Sequence, residues 1–200
     1  FEGVGVVMGE ISGELQEHGY WGSMRDRIPL SQTDAMVPSG TRAVIAGAPA
    51  PGQRVRISGH ENIAMIRSGQ EWTDTTGQER TLYIDDMEPV LREGMDFLRD
   101  QGLGIGCYSN RYMHNLDTHG KPLQKSFGLS WWRSLADMER WAESHPTHVA
   151  IFGSFMRYVQ ALNFQLQLRV YHEVSVLKAD EQSYEYINCH ARSGLMNGLA

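Results

Sequence analysis

Cysteine is scarce in this sequence: the two residues among 200, Cys107 and Cys189, lie far apart. They can form at most one disulfide, and two thiols beside ten methionines are typical of a protein from the reducing cytoplasm. No Cys/His spacing of the zinc-finger kind occurs. The cysteine content therefore indicates a cytoplasmic protein and excludes a zinc finger.

Long apolar runs and clusters of basic residues are also missing. No stretch approaches the ~18 apolar residues that a membrane span needs, so we expect no membrane insertion. The net charge of −6, without a Lys/Arg cluster, argues against nucleic acid or an anionic membrane surface as a partner. The start, Phe1-Glu2-Gly3-Val4, lacks an initiator Met and the pattern of a signal peptide. We therefore expect the chain to begin inside a longer polypeptide.

The rest of the composition, 41% apolar and 21% charged, suits one globular domain over residues 1–200. Apolar residues at spacings of three and four predict a helix over about 82–101. Ile84 belongs to its apolar stripe, and Gly102 supplies the expected stop. The chain is thus long enough to bury a core beneath at least one amphipathic helix.

Two further helices are predicted in the second half. Ser134 begins a segment that resembles a capping box, which predicts the start of a helix there. His145 precedes a proline and should end that helix, because the residue before proline is pushed out of the α region. Thr147 is then expected to cap a helix that runs to about Leu162.

Strands are predicted between and after these helices. Their expected positions are 2–13, 54–68, 103–113, 125–132 and 166–176. Residues 36–53 hold three of the seven prolines and are predicted to form a surface loop. From residue 54 the order is strand, helix, strand, strand, helix pair, strand, which is the split β-α-β-β-α-β unit of ferredoxin-like α+β folds.

The last strand carries a polar residue on its apolar face. Between Leu166 and Val176 every second residue is apolar except His172, and this alternation predicts a half-buried strand. We expect an imidazole that points inward to have a hydrogen-bond partner or a functional role, because burying it unpaired costs free energy. The helix before this strand also has a histidine on its apolar face, because His148 begins an apolar stripe that continues through Phe152 and Phe155.

Either histidine could be a core or capping residue bonded to a backbone carbonyl. Two histidines on the inward faces of consecutive elements also fit a flat cofactor held between helix and sheet. One imidazole would bind the metal and the other would lie across from it, as in a b-type haem site. No Cys-x-x-Cys-His motif is present, so a covalently attached c-type haem is excluded.

Three other positions are weaker candidates on residue type alone. Ser68 ends a strand before a glycine, and its ordinary role would be a turn hydrogen bond. Arg25 and Arg27 flank an aspartate among apolar neighbours, so at least one should be partly buried and seek a carboxylate. His190 lies among turn-forming residues near the C-terminus.

Long strings of the sequence resemble the haem-containing aldoxime dehydratases. They include GVGVVMGEI, YWGSMRDRIPLSQTD, IRSGQEW, KSFGLSWWRSLADMERWAESHPTHVAIFG, LRVYHEVSV and YEYINCH. Members of this family are longer, so the resemblance implies that the chain lacks their N-terminal portion. It also implies a ferredoxin-like α+β barrel of the dimeric type, one protohaem (haem b) and a homodimer.

The family's activity is dehydration of aldoximes, R–CH=N–OH, to nitriles on ferrous haem, with the substrate nitrogen on iron. By motif position, His148 resembles the proximal iron ligand and His172 the distal proton donor. Ser68 resembles the serine that holds the oxime hydroxyl, and Arg27 the supporting arginine. The choices of Arg27 over Arg25 and of His172 over His190 rest on motif position and stay open.

Two other functions compete with this lyase. One is a haem-binding or haem-sensing module without turnover, which needs His148 but neither Ser68 nor His172. The other is a peroxidase-like haem enzyme on the related barrel. The sequence leaves open which aldoxime is preferred.

Overall fold

The fold is described from a computed structural model, which covers residue 9 and residues 23–199. The strand expected over 2–13 lies outside the described residues, apart from Gly9. The remaining elements form two antiparallel sheets and a layer of helices. The expected combination of helices with antiparallel strands is therefore confirmed.

The larger sheet has four strands in the order β4-β5-β3-β6, and all its neighbours are antiparallel. The strands are β3 (Ile63–Glu71), β4 (Cys107–Leu116), β5 (Pro122–Trp132) and β6 (Arg169–Leu177). Among the strands described, the last one therefore lies at an edge, beside the strand that begins the unit. This order brings the segments that carry Ser68 and His172 next to each other.

Five α-helices are described, together with one π-helical segment. They are α1 (Ser23–Asp26), α2 (Gly77–Thr81), the π-helix (Leu82–Met87), α3 (Glu88–Gln101), α4 (Leu135–Ser144) and α5 (Pro146–Ala161). Ser134 caps α4 as predicted, with its hydroxyl accepting from the Asp137 amide at 3.0 Å. The long helices α3, α4 and α5 pack on one face of the larger sheet.

That helix-facing side of the sheet is identified by its core residues. Ala64 and Ile66 of β3, with Val174 and Val176 of β6, join one apolar cluster with side chains of α3 and α4. Successive side chains of a strand alternate between faces, so the next even-numbered positions point to the same side. On β6 the next such position is His172.

A second sheet of three strands was not predicted, and the strand or hairpin arm expected over 54–68 is divided between the two sheets at residues 59–62. This second sheet consists of β1 (Ala43–Ala46), β2 (Arg54–Ser58) and β7 (Tyr184–Ile187), in the order β1-β2-β7. The prediction of a loop over 36–53 was wrong at β1, because this short strand pairs with β2 despite its proline-rich flanks. Tertiary pairing overrode the local composition.

The helix predicted over 82–101 is interrupted at its start. Residues 82–87 form a π-helix, which shifts the buried face by one residue, so Tyr83 is buried and Ile84 is 39% exposed. The stop also differs: Gly102 stays in the right-handed region, and Gly106 takes the left-handed one with φ +93°.

Cys107 and Cys189 are both free thiols, in agreement with the expectation of a reduced protein. Cys107 is buried in the main core, and burial raises the pKa of its thiol to about 12. Within residues 23–199, no helix has the length and apolar character that crossing a membrane requires.

Candidate functional site

Ser68 and His172 face each other across two paired strands. Ser68 of β3 is the direct register partner of His172 of β6. Both lie on the side of the sheet that the helices cover, as the core positions Ile66 and Val174 show. Directly paired side chains in an antiparallel sheet have Cβ atoms about 4.5–5.5 Å apart, so one small molecule can touch both groups.

His148 lies in the first turn of α5, and the start of that helix is set by the preceding histidine. His145 is the N-cap, and its Nδ1 accepts from the Thr147 amide at 3.3 Å. The prediction that Thr147 caps the helix was therefore wrong: the Thr147 hydroxyl instead accepts from the Trp141 indole at 3.1 Å. These bonds fix where α5 begins and so where His148 sits.

The His148 imidazole is held neutral. Burial lowers its pKa to about 4, while a hydrogen bond with the Ala142 backbone acts in the opposite direction and the charge of nearby His172 adds to the lowering. The Trp141 ring meets the imidazole edge-on, with centroids 4.6 Å apart. His148 is thus a neutral base whose ring is fixed by an indole and a backbone carbonyl.

His172 is exposed, but its surroundings still disfavour a charge. Its accessible surface shows that the imidazole can be reached from outside the described chain. The protein packed around this part of the sheet lowers the pKa of His172 by desolvation, an effect of longer range than direct contact. The sign of the His148–His172 interaction shows that the two imidazoles lie within electrostatic reach of each other.

The polar groups of Ser68 and His172 are open, in the sense that no hydrogen bond to either side chain is found among the described residues. Two residues further along β3 the situation is reversed. Gln70 is buried, donates to the Ser68 carbonyl at 3.2 Å and accepts from the Ser126 hydroxyl at 3.1 Å. Hydrogen-bonding capacity is therefore left over at Ser68 and His172.

The apolar stripe that His148 begins continues along α5. Phe152 and Phe155 are both half-buried, and Phe155 packs against a cluster that includes Tyr83 and Val159. The helix therefore offers aromatic surface beside His148, as its spacing predicted.

The two candidate arginines have different environments. Arg25 is half-buried and forms a bidentate pair with Glu139 of α4, at 2.8 and 2.7 Å. The prediction that one of the pair is partly buried against a carboxylate is confirmed for Arg25. Arg27 is exposed and lies in the turn after α1. The structure thus pairs Ser68 with His172 and places His172 within electrostatic reach of His148, while the roles of all three residues and of Arg27 stay predictions.

His190 lies away from the larger sheet. It follows β7, a strand of the smaller sheet, and it is exposed. Its Nδ1 accepts from the Arg192 amide at 3.1 Å, a bond within the loop where its sequence context placed it.

Two cavities of about 340 and 410 Å³ lie at other places. The first is lined by residues that include Arg42, His60 and Tyr108, and the second lies beside the smaller sheet. Neither has His148 or His172 in its lining. Among the described strands, β6 is the outermost on its side of the larger sheet.

Two groups near the site could not have been found from the sequence. The Ala142 carbonyl belongs to the backbone, so no side-chain pattern marks it. Glu79 lies in the polar string GQERT yet is only 9% exposed, and nothing in that string indicates burial. Both depend on how α2, α4 and α5 pack together.

The donor set fits a haem that takes one axial imidazole from the protein. Metal-bound histidines are neutral and usually pass their second N–H to a carbonyl or carboxylate, as His148 does with Ala142. Within the described ranges, no group of three His, Cys, Asp or Glu side chains could hold a bare metal ion. The half-buried, neutral imidazole of His148, within electrostatic reach of His172, suits a flat cofactor.

A family model described as haem-containing dehydratase matches residues 1–195. The aliphatic aldoxime dehydratases of Pseudomonas chlororaphis and Rhodococcus erythropolis are each 56% identical over 194 residues, which is 97% of this chain and 54% of each relative. A crystal structure of an aldoxime dehydratase in complex with butyraldoxime matches with a TM-score of 0.90 at 56% identity, covering 98% of this chain and 54% of that one. The chain therefore spans about half the length of the relatives that it matches.

Proposed function

Since this chain belongs to the haem-containing dehydratase family, we propose that the protein is an aldoxime dehydratase. It removes water from R–CH=N–OH and releases the nitrile R–C≡N. The observation that carries the proposal is the neutral His148 imidazole, which lies within electrostatic reach of His172, the register partner of Ser68. The curated relatives favour an aliphatic R group, and the aromatic surface of Phe152 and Phe155 offers it an apolar wall.

His148 is proposed to hold the haem as its proximal ligand. Its lowered pKa keeps the coordinating nitrogen free of a proton at neutral pH, and Trp141 and the Ala142 carbonyl fix the ring orientation. The cofactor is proposed to be haem b, held without covalent bonds, and active in the ferrous state. When bound, it would supply an iron centre that takes the oxime nitrogen and polarises the N–O bond.

His172 is proposed to donate a proton to the oxime oxygen. Hydroxide is a poor leaving group, so cleavage of the N–O bond needs a proton delivered to that oxygen. The reaction also releases the proton on the oxime carbon, and its uptake by the imidazole would restore His172. Because desolvation lowers the pKa of His172, its protonated form is a stronger acid but is less abundant at neutral pH.

Ser68 and Arg27 are proposed to support that transfer. The Ser68 hydroxyl lies on the strand directly opposite His172, where it can accept from or donate to the oxime hydroxyl and set its direction. Arg27 would organise an anionic group that resupplies protons, a role supported by its motif alone. Arg25 is engaged by Glu139, and the choice of Arg27 over Arg25 for this role rests on motif position.

The larger architecture is proposed to be a ferredoxin-like α+β barrel in a homodimer, with residues 1–200 in one haem-binding domain. The strand order β4-β5-β3-β6 with its two helical connections supports the ferredoxin-like unit. Free thiols at Cys107 and Cys189 are consistent with a cytoplasmic location. Light scattering of the full-length protein tests the dimer.

Anaerobic absorption spectroscopy of the full-length protein tests the function. We expect a Soret band, a spectral change when an aliphatic aldoxime is added after dithionite, and nitrile formation that the ferric protein does not support. His148→Ala should remove the Soret band. A haem-loaded wild type that changes its spectrum but forms no nitrile would identify a binding module instead.

A further inference from the structure

Glu79 is a buried carboxylate with an unusual set of partners. The side chain lies on α2 and is 9% exposed, and no Lys or Arg pairs with it within residues 23–199. Its Oε1 instead accepts three hydrogen bonds, from the Tyr158 hydroxyl at 3.0 Å and the amides of Gln167 and Leu168 at 2.8 and 3.0 Å. Hydrogen bonds from neutral donors to a carboxylate are stronger than those between neutral groups, so the Glu79 side chain holds its three donors close together.

The three donors belong to the two elements that carry the histidines. Tyr158 lies on α5, ten residues after His148. Gln167 and Leu168 immediately precede β6, the strand of His172. One oxygen atom of α2 thus ties the far end of the His148 helix to the start of the His172 strand.

The connection that Glu79 holds is strained. Asn163 and Phe164 both adopt left-handed backbone conformations, with φ of +50° and +61°. Asparagine tolerates this region, but phenylalanine does not, because its Cβ crowds the backbone there. Phe164 is also 66% exposed, so packing by its own side chain does not explain the conformation. Local bonds hold these conformations at the end of α5, from the Asn163 amide to the Gln160 carbonyl at 3.1 Å and from the Phe164 amide to the Val159 carbonyl at 3.0 Å. The Glu79 bonds follow three and four residues after Phe164 and fix the chain as it leaves this turn.

We propose that Glu79 is a positioning residue, which sets the placement of His172 relative to His148 by anchoring the α5–β6 connection. This inference rests on the proposed function, because it assigns a role in the geometry of that same site. Glu79 itself reaches neither imidazole in the described contacts and acts through the backbone of residues 167 and 168.

The test compares four variants of the full-length, haem-loaded protein. Glu79→Ala should lower kcat for an aldoxime by about 10- to 100-fold with little change in KM, because misplacement of the proton donor affects the transition state more than binding. Glu79→Gln keeps a carbonyl oxygen for the same three donors, so it should retain kcat within about twofold. Tyr158→Phe removes one bond of three and should lie between them. Adding Phe164→Gly to Glu79→Ala should recover part of kcat, since it relieves the strain that the anchor opposes.

Gln182→Ala is the matched control. The Gln182 amide donates to three carbonyls, those of His60, Leu177 and Lys178, and so holds the other end of β6 without touching α5. It should lower the thermal midpoint about as much as Glu79→Ala and leave kcat unchanged. An equal loss of kcat in both variants, or an unchanged kcat in Glu79→Ala, would overturn the proposal.

A second measurement on the haem-free protein separates this inference from the proposed function. Amide hydrogen exchange at Gln167 and Leu168 should speed up at least about tenfold in Glu79→Ala and stay unchanged in Gln182→Ala. Faster exchange in a protein without nitrile formation supports the anchor while the proposed function fails. Unchanged exchange overturns the anchor whatever the activity.

Discussion

Two polar patches lie side by side on the helix-facing side of the larger sheet, and they differ in how their hydrogen bonds are used. The first, called here the closed patch, is a linear series of side chains in which each is hydrogen-bonded to the next: Gln70, Ser126, Tyr112 and Glu88. In the second, Ser68 and His172 face each other with no such partner among the described residues. The first patch lies between strands and α3, and the second lies on β3 and β6, the latter being the outermost described strand on that side.

This difference in hydrogen bonding distinguishes polar residues that stabilise the fold from polar residues that are available to bind a ligand. Buried polar groups in native proteins are nearly always satisfied, as the closed patch shows. Groups left open near the neutral, half-buried His148 imidazole have no structural purpose that the described residues reveal. The comparison predicts that changes in the closed patch affect stability, whereas changes in the open patch affect turnover.

Replacement of His172 should have the largest effect. His172→Gln is expected to keep the Soret band and to lower kcat by about 10²- to 10⁴-fold, the usual contribution of a positioned general acid. Nitrile formation followed by gas chromatography measures it. His190→Gln is the matched control and should retain full turnover. If the two results were exchanged, His190 would be the proton donor.

Acid should weaken the fold through His148. The unfolded chain binds a proton with the ordinary pKa of 6.5 and the folded one with a pKa of about 4, so the unfolded state binds more protons between these values. Stability from this group is therefore complete above pH 6.5 and lost as pH falls toward 4, by at most about 3 kcal/mol. Urea unfolding of the haem-free protein at pH 7 and 4.5 measures it. His148→Leu should flatten the dependence, and an equally steep loss in that variant would assign it to other groups.

Loss of the Ser68 hydroxyl should affect turnover moderately. Ser68→Ala is expected to lower kcat by about 10- to 100-fold, since the hydroxyl directs the leaving group without transferring a proton in our scheme. Steady-state kinetics with the same aldoxime measures it. Ser126→Ala, in the closed patch one strand away, serves as the control and should keep kcat. A Ser68→Ala enzyme of full rate would remove the serine from the mechanism.

The smallest effect is expected from the closed patch itself. Tyr112→Phe removes the hydroxyl that bonds both Ser126 at 2.9 Å and Glu88 at 3.2 Å. Its free energy of unfolding should fall by about 1 kcal/mol, with kcat unchanged. Denaturant unfolding and kinetics on one preparation measure both quantities. A fall in kcat would show that the two patches are coupled.

The sequence predicted the parts of this molecule that depend on periodicity. Alternation placed His172 on the face that packs against the helices, and helical spacing placed His148 at the start of an apolar stripe. Ser134 was recognised as a cap because its partner lies three residues away. Roles for Ser68 and Arg27 came only from resemblance, because a strand-end serine and an exposed arginine have no periodic signature.

What could not be predicted depends on contacts between distant segments. β1 forms because β2 is beside it, although its own flanks are rich in proline. Glu79 is buried because three donors from α5 and the start of β6 converge on it, more than 70 residues away in the sequence. Neither fact is encoded in the local pattern of its own segment.

The π-helix at Leu82–Met87 also determines how α2, the helix before it, is rotated about its axis relative to α3. Removal of one residue there would restore an ordinary α-helix and rotate α2 by about 100° relative to α3. Glu79 would then face away from the start of β6, although no residue of the site had changed. A single-residue deletion remote from both histidines would thus disturb the placement of His172 relative to His148. The number of residues in the π-helix therefore matters to the site as much as the identity of Glu79 does.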